Sequence, residues 1–290
     1  MLFRSVHVAN TVAKWVDKSY VTPEVIFAGL LGAIIWNLIT WYAGLPSSSS
    51  HALLGGFGGA ALVCAGKWAG VINIGKLMTT IYFIVLAPLI GLGLALVFTF
   101  VVFWVFRKIS PLKIDKWFRV AQLGSAACYS LGHGANDAQK TMGIIAALLF
   151  ATIWKTDQAA FTSGKVNFEE HHFWIVLICH LAIGLGTLSG GWRIVKTMGL
   201  KITKLRPWGG ACAETAAAGS LFIASGLGVP VSTTHTITGA IIGVGSIQRL
   251  SAVRWGVARQ VVWAWVLTIP CSALVAAGCQ WLLQNFAHHQ

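Results

Sequence analysis

Two short stretches of this chain place hydroxyls and a histidine inside otherwise apolar sequence. Residues 44–51 read GLPSSSSH and residues 228–235 read GVPVSTTH. In each, the proline stops a preceding helix and suits the first turn of the next. Ser48, Ser49 and Ser50 then stand at one helix N-terminus, and Ser232, Thr233 and Thr234 at another. Such an end offers unpaired backbone N–H groups and about half a positive charge, a combination that favours an anion. Hydroxyls add donors without adding charge, which keeps binding of a doubly protonatable anion reversible. One cluster of this kind is ordinary N-capping. A matched pair points to an anion enclosed between two helix starts.

A second constellation lies in GHGANDAQK, residues 132–140, where Asn136, Asp137, Gln139 and Lys140 interrupt an apolar segment. A carboxylate at membrane depth costs about 2.5–3.5 kcal/mol even on the milder scales. It persists where it binds a cation, pairs with a base or faces water. The glycines predict a broken helix whose freed backbone groups line a cavity. A structural bridge between Asp137 and Lys140, three residues on, is the simpler alternative. Glu214, in ACAETAAAGS, is a further candidate to couple a proton or sodium, or else a cap beside a basic loop. His51 and His235 fall just inside the helices that follow the hydroxyl clusters. Each is a candidate to carry a proton or pair with a buried acid, or a hydrogen-bonded packing residue. His133 and His180 are weaker candidates.

The elements that must hold these residues are helices in lipid. The 290-residue chain is 56% hydrophobic and 10% charged, against about 25% charged in soluble domains. Apolar segments fall at 24–43, 47–66, 77–106, 120–154, 172–191, 208–227, 228–247 and 260–286. Spanning the hydrocarbon core takes ~20 helical residues. The 77–106 segment is overlong and contains Pro88, so tilt or a kink is expected. The net charge of +13 sits between these segments, in loops 107–119, 192–207 and 248–259. Basic loops of this kind set orientation in a bilayer and read as cytoplasmic; nucleic acid is not an expected partner. The mixed loop 155–171, and by counting back the N-terminus, read as external. Six cysteines lie in apolar stretches without a CxxC pair, which argues against a disulfide framework or a zinc site.

The two hydroxyl clusters belong to a longer repeat. Residues 44–59, GLPSSSSHALLGGFGG, align without a gap on residues 228–243, GVPVSTTHTITGAIIG, and share Gly, Pro, Ser, His, Gly and Gly. Matches at polar and special residues mark a true internal repeat. Both copies follow one apolar span and precede a proline-containing one, with Pro88 and Pro270. An odd number of crossings between the copies puts them on opposite sides, an inverted repeat of the kind secondary transporters use. The expected fold is an all-α polytopic membrane protein, with interrupted helices and half-helix starts near the midplane. Residues 1–106 form a first repeat, 107–119 a cytoplasmic basic loop and 120–290 a second repeat, in one transmembrane domain.

GHGANDAQKTMGIIA at 132–146, GGWRIVKTMGLKITKLRP at 190–207 and GVPVSTTHTITGAIIGVG at 228–245 resemble the inorganic phosphate transporter (PiT) family, in particular its bacterial members. GLPSSSSHALLGG resembles that family's first-half equivalent. The resemblance covers essentially the whole chain. It implies a symporter rather than an enzyme, moving inorganic phosphate with a cation by alternating access. Carried over, Ser48, Ser49, Ser50, Ser232, Thr233 and Thr234 are phosphate ligands, and Asn136 and Asp137 hold the coupling cation. Implied partners are inorganic phosphate, free or as a metal–phosphate complex, Na+ or H+, and the lipid bilayer, with a homodimer as an open alternative. No cofactor is implied. The implied location is the bacterial inner membrane, crossed several times.

The resemblance implies a GAND-type motif in each half, and this chain has only one, at 134–137. Asn136 lies 94 residues ahead of Pro230, and the same interval ahead of Pro46 falls before Met1. The expectation is therefore an N-terminal truncation of about fifty residues that removes the first-half motif. A transporter of another oxyanion such as sulfate, and a non-transporting truncated fragment, are the alternative readings.

Overall fold

A computed structural model describes residues 7–153 and 173–287; the loop read as external, 155–171, lies outside them. The described residues form a helical assembly. Helix α1 (His7–Ala13) and a 3₁₀ turn at Lys18–Tyr20 lead into α2 (Pro23–Ala43), α3 (Ser49–Ala65) and α4 (Ile74–Phe106). The second half begins with α5 (Pro111–Thr152), followed by α6 (Phe173–Leu188) and α7 (Trp192–Lys196), which runs into a π turn at Thr197–Ile202. Then come α8 (Pro207–Gly226), α9 (Thr233–Gln248), a 3₁₀ turn at Leu250–Ala252 and α10 (Trp255–Ala287).

Helices α2, α4 and α10 are each long and apolar enough to cross a membrane, and α6 with the α7 segment, bent by 65°, makes a fourth such span. Helix α4 turns large apolar side chains outward, among them Tyr82, Leu89 and Phe100 at 71%, 55% and 64% exposure. Such a surface is stable against lipid and unstable against water. The eight apolar segments of the sequence all return as helices. The expectation of a break at GHGANDAQK does not hold: α5 runs unbroken through residues 132–140. The two glycines of that stretch are not tight: a Cβ at Gly132 would make ordinary contact with Leu221 and Phe222 of α8, and nothing lies within 4 Å of the Cβ position on Gly134. The 42 residues of α5 extend ~63 Å, about twice the hydrocarbon thickness. That excess length explains why residues 111–119, expected as loop, are helical while still carrying Lys113, Lys116 and Arg119.

The sequence repeat reappears in packing. Hairpin helix α3 of the first half packs on α10 of the second, and α9 of the second packs on α4 of the first. The glycines of the repeat make this exchange close. Gly55 and Gly59 lie against the backbone of Ile269 and Ala273, and Gly239 and Gly243 against that of Pro88 and Leu92. Each pair leaves no room for a Cβ, so the small residues at matched positions are a steric requirement of the seam.

Buried apolar residues gather on both sides of that seam. One cluster joins Val8, Val12 and Trp15 to Leu54 and Phe57 of α3 and Met142 of α5. Another joins Ala95 of α4 to Trp208 of α8, Ile241 of α9 and Trp265 of α10. The N-terminal segment is fastened as well as buried. Trp15 Nε1 donates to Leu54 O at 3.1 Å, Asp17 N to Val71 O at 2.8 Å and Asn73 N to Trp15 O at 3.0 Å.

Candidate functional site

Each hydroxyl cluster is prepared by its local backbone. Gly44 ends α2 in the left-handed region at φ 66°, and Gly228 lies at φ 70° just beyond α8. Their carbonyls each accept a threonine hydroxyl: Thr197 Oγ1 reaches Gly44 O at 2.9 Å and Thr11 Oγ1 reaches Gly228 O at 3.0 Å. The prolines do not open the next helix as expected. Ser47 N donates to Leu45 O and Val231 N to Val229 O, both at 2.9 Å, so Pro46 and Pro230 centre tight three-residue turns. Helix α3 then starts after Ser48 and α9 after Ser232. Three further donors hold the ends that meet here. Arg193 Nη1 reaches Tyr42 O at 2.6 Å, Trp265 Nε1 reaches Pro46 O at 3.2 Å, and Thr40 and Ser47 share a hydroxyl–hydroxyl bond of 2.8 Å. The arginine satisfies a carbonyl that the end of α2 leaves unpaired, and the indole one in the turn that follows.

The six hydroxyl candidates do not occupy equivalent places. Ser48 and Ser232 are buried N-caps, accepting from His51 N at 3.2 Å and His235 N at 3.3 Å. Ser49 is exposed and Thr234 half-buried. Ser50 and Thr233 are buried and turn to the polar residues of α5.

Those residues sit where the two helix starts meet. Lys140, 2% exposed, donates to Asp137 Oδ1 at 2.5 Å, to Ser50 Oγ at 2.6 Å and to Val231 O at 2.7 Å. One ammonium thus touches its own helix and both hydroxyl-bearing segments. The other carboxylate oxygen, Asp137 Oδ2, meets His133 Nε2 at 2.9 Å and accepts from Thr233 Oγ1 at 3.2 Å. A cleft of about 980 Å³ opens onto this cluster, lined by Ser49, Ser50, His133, Asp137 and Lys140 together with residues of α2 and α6.

Other candidates lie elsewhere. Asn136 is fully buried and turns from Asp137 toward α8, donating from Nδ2 to Ser225 Oγ at 3.0 Å. Adjacent helical residues do not share a face, and the two side chains have separate partners. Asn136 Oδ1 has no hydrogen-bond partner among the described residues. Glu214 is half-buried and accepts from Ser125 Oγ at 2.6 Å and Gln122 Nε2 at 3.4 Å. Its partners are side chains of α5 rather than a basic loop, and Gln122 lies ~22 Å along α5 from Asp137. His51 and His235 pack on one another, with ring centroids 4.9 Å apart, and His235 also stacks on Trp265 at 4.0 Å. His180 lies on α6, its Nδ1 on Val176 O at 2.8 Å.

Lys140 is the residue that sequence reasoning undervalued, because a neighbour three residues from Asp137 explains itself as a bridge. The N-terminal segment packs on α5: Val8 N donates to Gln139 Oε1 at 3.2 Å, and Ala9 O leaves no room for a Cβ on Gly143.

Residues 2–276 match the model of the phosphate transporter family. Among its relatives, a probable low-affinity inorganic phosphate transporter of Rhizobium meliloti (strain 1021) is 54% identical, over 96% of this chain and 80% of its own. A protein of the same description from Bacillus subtilis (strain 168) is 40% identical, over 94% and 80%. Another, from Mycobacterium leprae (strain TN), is 38% identical over 97% of this chain, which spans 66% of that relative. A solved structure described as the sodium-dependent phosphate transporter superposes with a TM-score of 0.77. It covers 98% of this chain and 88% of its own at 24% identity, a likeness of fold.

Proposed function

This chain belongs to the phosphate transporter family, and from that premise we propose that it carries inorganic phosphate across a bacterial inner membrane by cation-coupled symport. One observation carries the reading. Two hydroxyl-bearing helix starts, α3 and α9, converge on a single buried ammonium, through Ser50 Oγ and Val231 O. Helix starts and a cation together favour an oxyanion, and neutral hydroxyls hold it without trapping it. Ser48, Ser49, Ser50, Ser232, Thr233 and Thr234 are the proposed phosphate-binding groups. Asn136, Asp137, Glu214, His51 and His235 are the groups available to couple Na+ or H+ entry.

Alternating access by the two halves fits the exchanged packing of α3 on α10 and α9 on α4. A backbone-close glycine seam allows two stiff bodies to rock about a central site. The test is uptake of labelled phosphate into proteoliposomes, with arsenate and sulfate as competitors. Saturable phosphate uptake that arsenate inhibits and sulfate does not is expected. Sulfate inhibition as strong as that by arsenate, or no phosphate uptake at all, refutes it.

A further inference from the structure

We propose that Lys140 is a tethered cation that fills the position at Asp137 where a free alkali ion would otherwise bind, so that this chain needs no Na+ there. The inference deepens the symport reading and rests on it for its functional meaning. Its carrying observation is the donor set around Lys140 Nζ. A carboxylate oxygen of Asp137, the hydroxyl of Ser50 and the backbone carbonyl of Val231 all lie within 2.7 Å.

Carboxylate, hydroxyl and unwound-backbone carbonyl oxygens are the ligands a small hard cation takes. Here three oxygens meet the three N–H donors of an ammonium. The side chain is buried, so no shell of water competes for those oxygens. The opposite face of the carboxylate is also filled, by His133 and Thr233.

The consequence is a division of charge between covalent chain and solution. A buried carboxylate that must be neutralised can be neutralised by a mobile ion or by a fixed one. A fixed ammonium keeps the electrostatic support for a bound anion through the whole transport cycle and removes its dependence on external Na+. Lys140 is thus a residue that decides which cation the transporter uses.

The test reads Na+ directly and does not depend on transport. Binding of ²²Na+ and the Na+ dependence of thermal unfolding are measured on the purified full chain, for wild type, Asp137→Asn, Lys140→Ala and the double variant Asp137→Asn/Lys140→Ala. Wild type is expected to show no saturable Na+ binding that depends on Asp137. Lys140→Ala leaves Asp137 Oδ1 without its ammonium and is expected to gain Na+ affinity by about tenfold or more, with a Tm that rises with Na+. The double variant is expected to lose both. Saturable Na+ binding to wild type that Asp137→Asn removes would overturn the proposal, as would a folded Lys140→Ala protein blind to Na+. If Lys140→Ala cannot be purified in any salt, the wild-type arms decide alone. A failure of phosphate uptake with these Na+ results intact sinks the transport reading and leaves the tethered cation standing.

Discussion

Lys140 Nζ and Ser50 Oγ lie 2.6 Å apart across 90 residues of sequence. That bond joins the motif helix of the second half to the hydroxyl cluster of the first. Ser50→Ala removes one of three acceptors from a buried ammonium, a loss of about 1.5–3 kcal/mol for a hydrogen bond to a charged group. Phosphate uptake is expected to fall by roughly tenfold or more, with the protein still monodisperse. Uptake within twofold of wild type would remove Ser50 from the site.

The caps are separable from the ligands. Ser48 and Ser232 accept from the backbone of His51 and His235, and loss of such a cap costs about 0.5–2 kcal/mol. Ser48→Ala should therefore lower Tm, and Ser48→Asn should restore it, because Asn caps as well as Ser. If Ser48→Asn also restores phosphate uptake, the side chain serves only as a cap. Restored Tm with uptake still lost assigns its hydroxyl to the anion.

The exchanged packing depends on glycine. A Cβ on Gly239 would overlap Pro88 O, whereas nothing lies within 4 Å of the Cβ position on Gly93. Gly239→Ala is expected to destabilise by about 1–3 kcal/mol, the usual range for overpacking. Gly93→Ala should be neutral or stabilising by up to about 1 kcal/mol. Thermal unfolding in detergent compares the two, and equal Tm values would mean that the seam is not tight.

Asn136 holds a buried acceptor, Oδ1, with no hydrogen-bond partner among the described residues, beside a donor bonded to Ser225. Asn136→Leu, similar in volume, removes both groups at little cost in packing. Uptake should be lost while Tm is retained or raised. A large drop in Tm with proportionate uptake would make Asn136 a structural residue. Ser225→Ala should reproduce part of the uptake defect, because it removes the hydroxyl to which Nδ2 donates.

Helix existence was legible because lipid demands long apolar runs, and such runs are visible in any window of sequence. The hydroxyl clusters were legible for a related reason: polar residues in apolar surroundings need a cause, and two in register need a shared one. The continuity of α5 was hidden, since a glycine inside a helix can serve as a point of close approach, as Gly143 does against Ala9 O.

The sequence by itself determined the solvent, the helices, the repeat and the residue types able to hold an anion, all properties set by composition and local spacing. Only the tertiary structure decided their grouping. It brought Ser50, Val231 and Lys140 together, set Asn136 and Glu214 apart from them and paired His51 with His235. Those relations depend on helix rotation and on contacts between residues about 90 to 180 positions apart, where side-chain direction and backbone approach decide which groups meet.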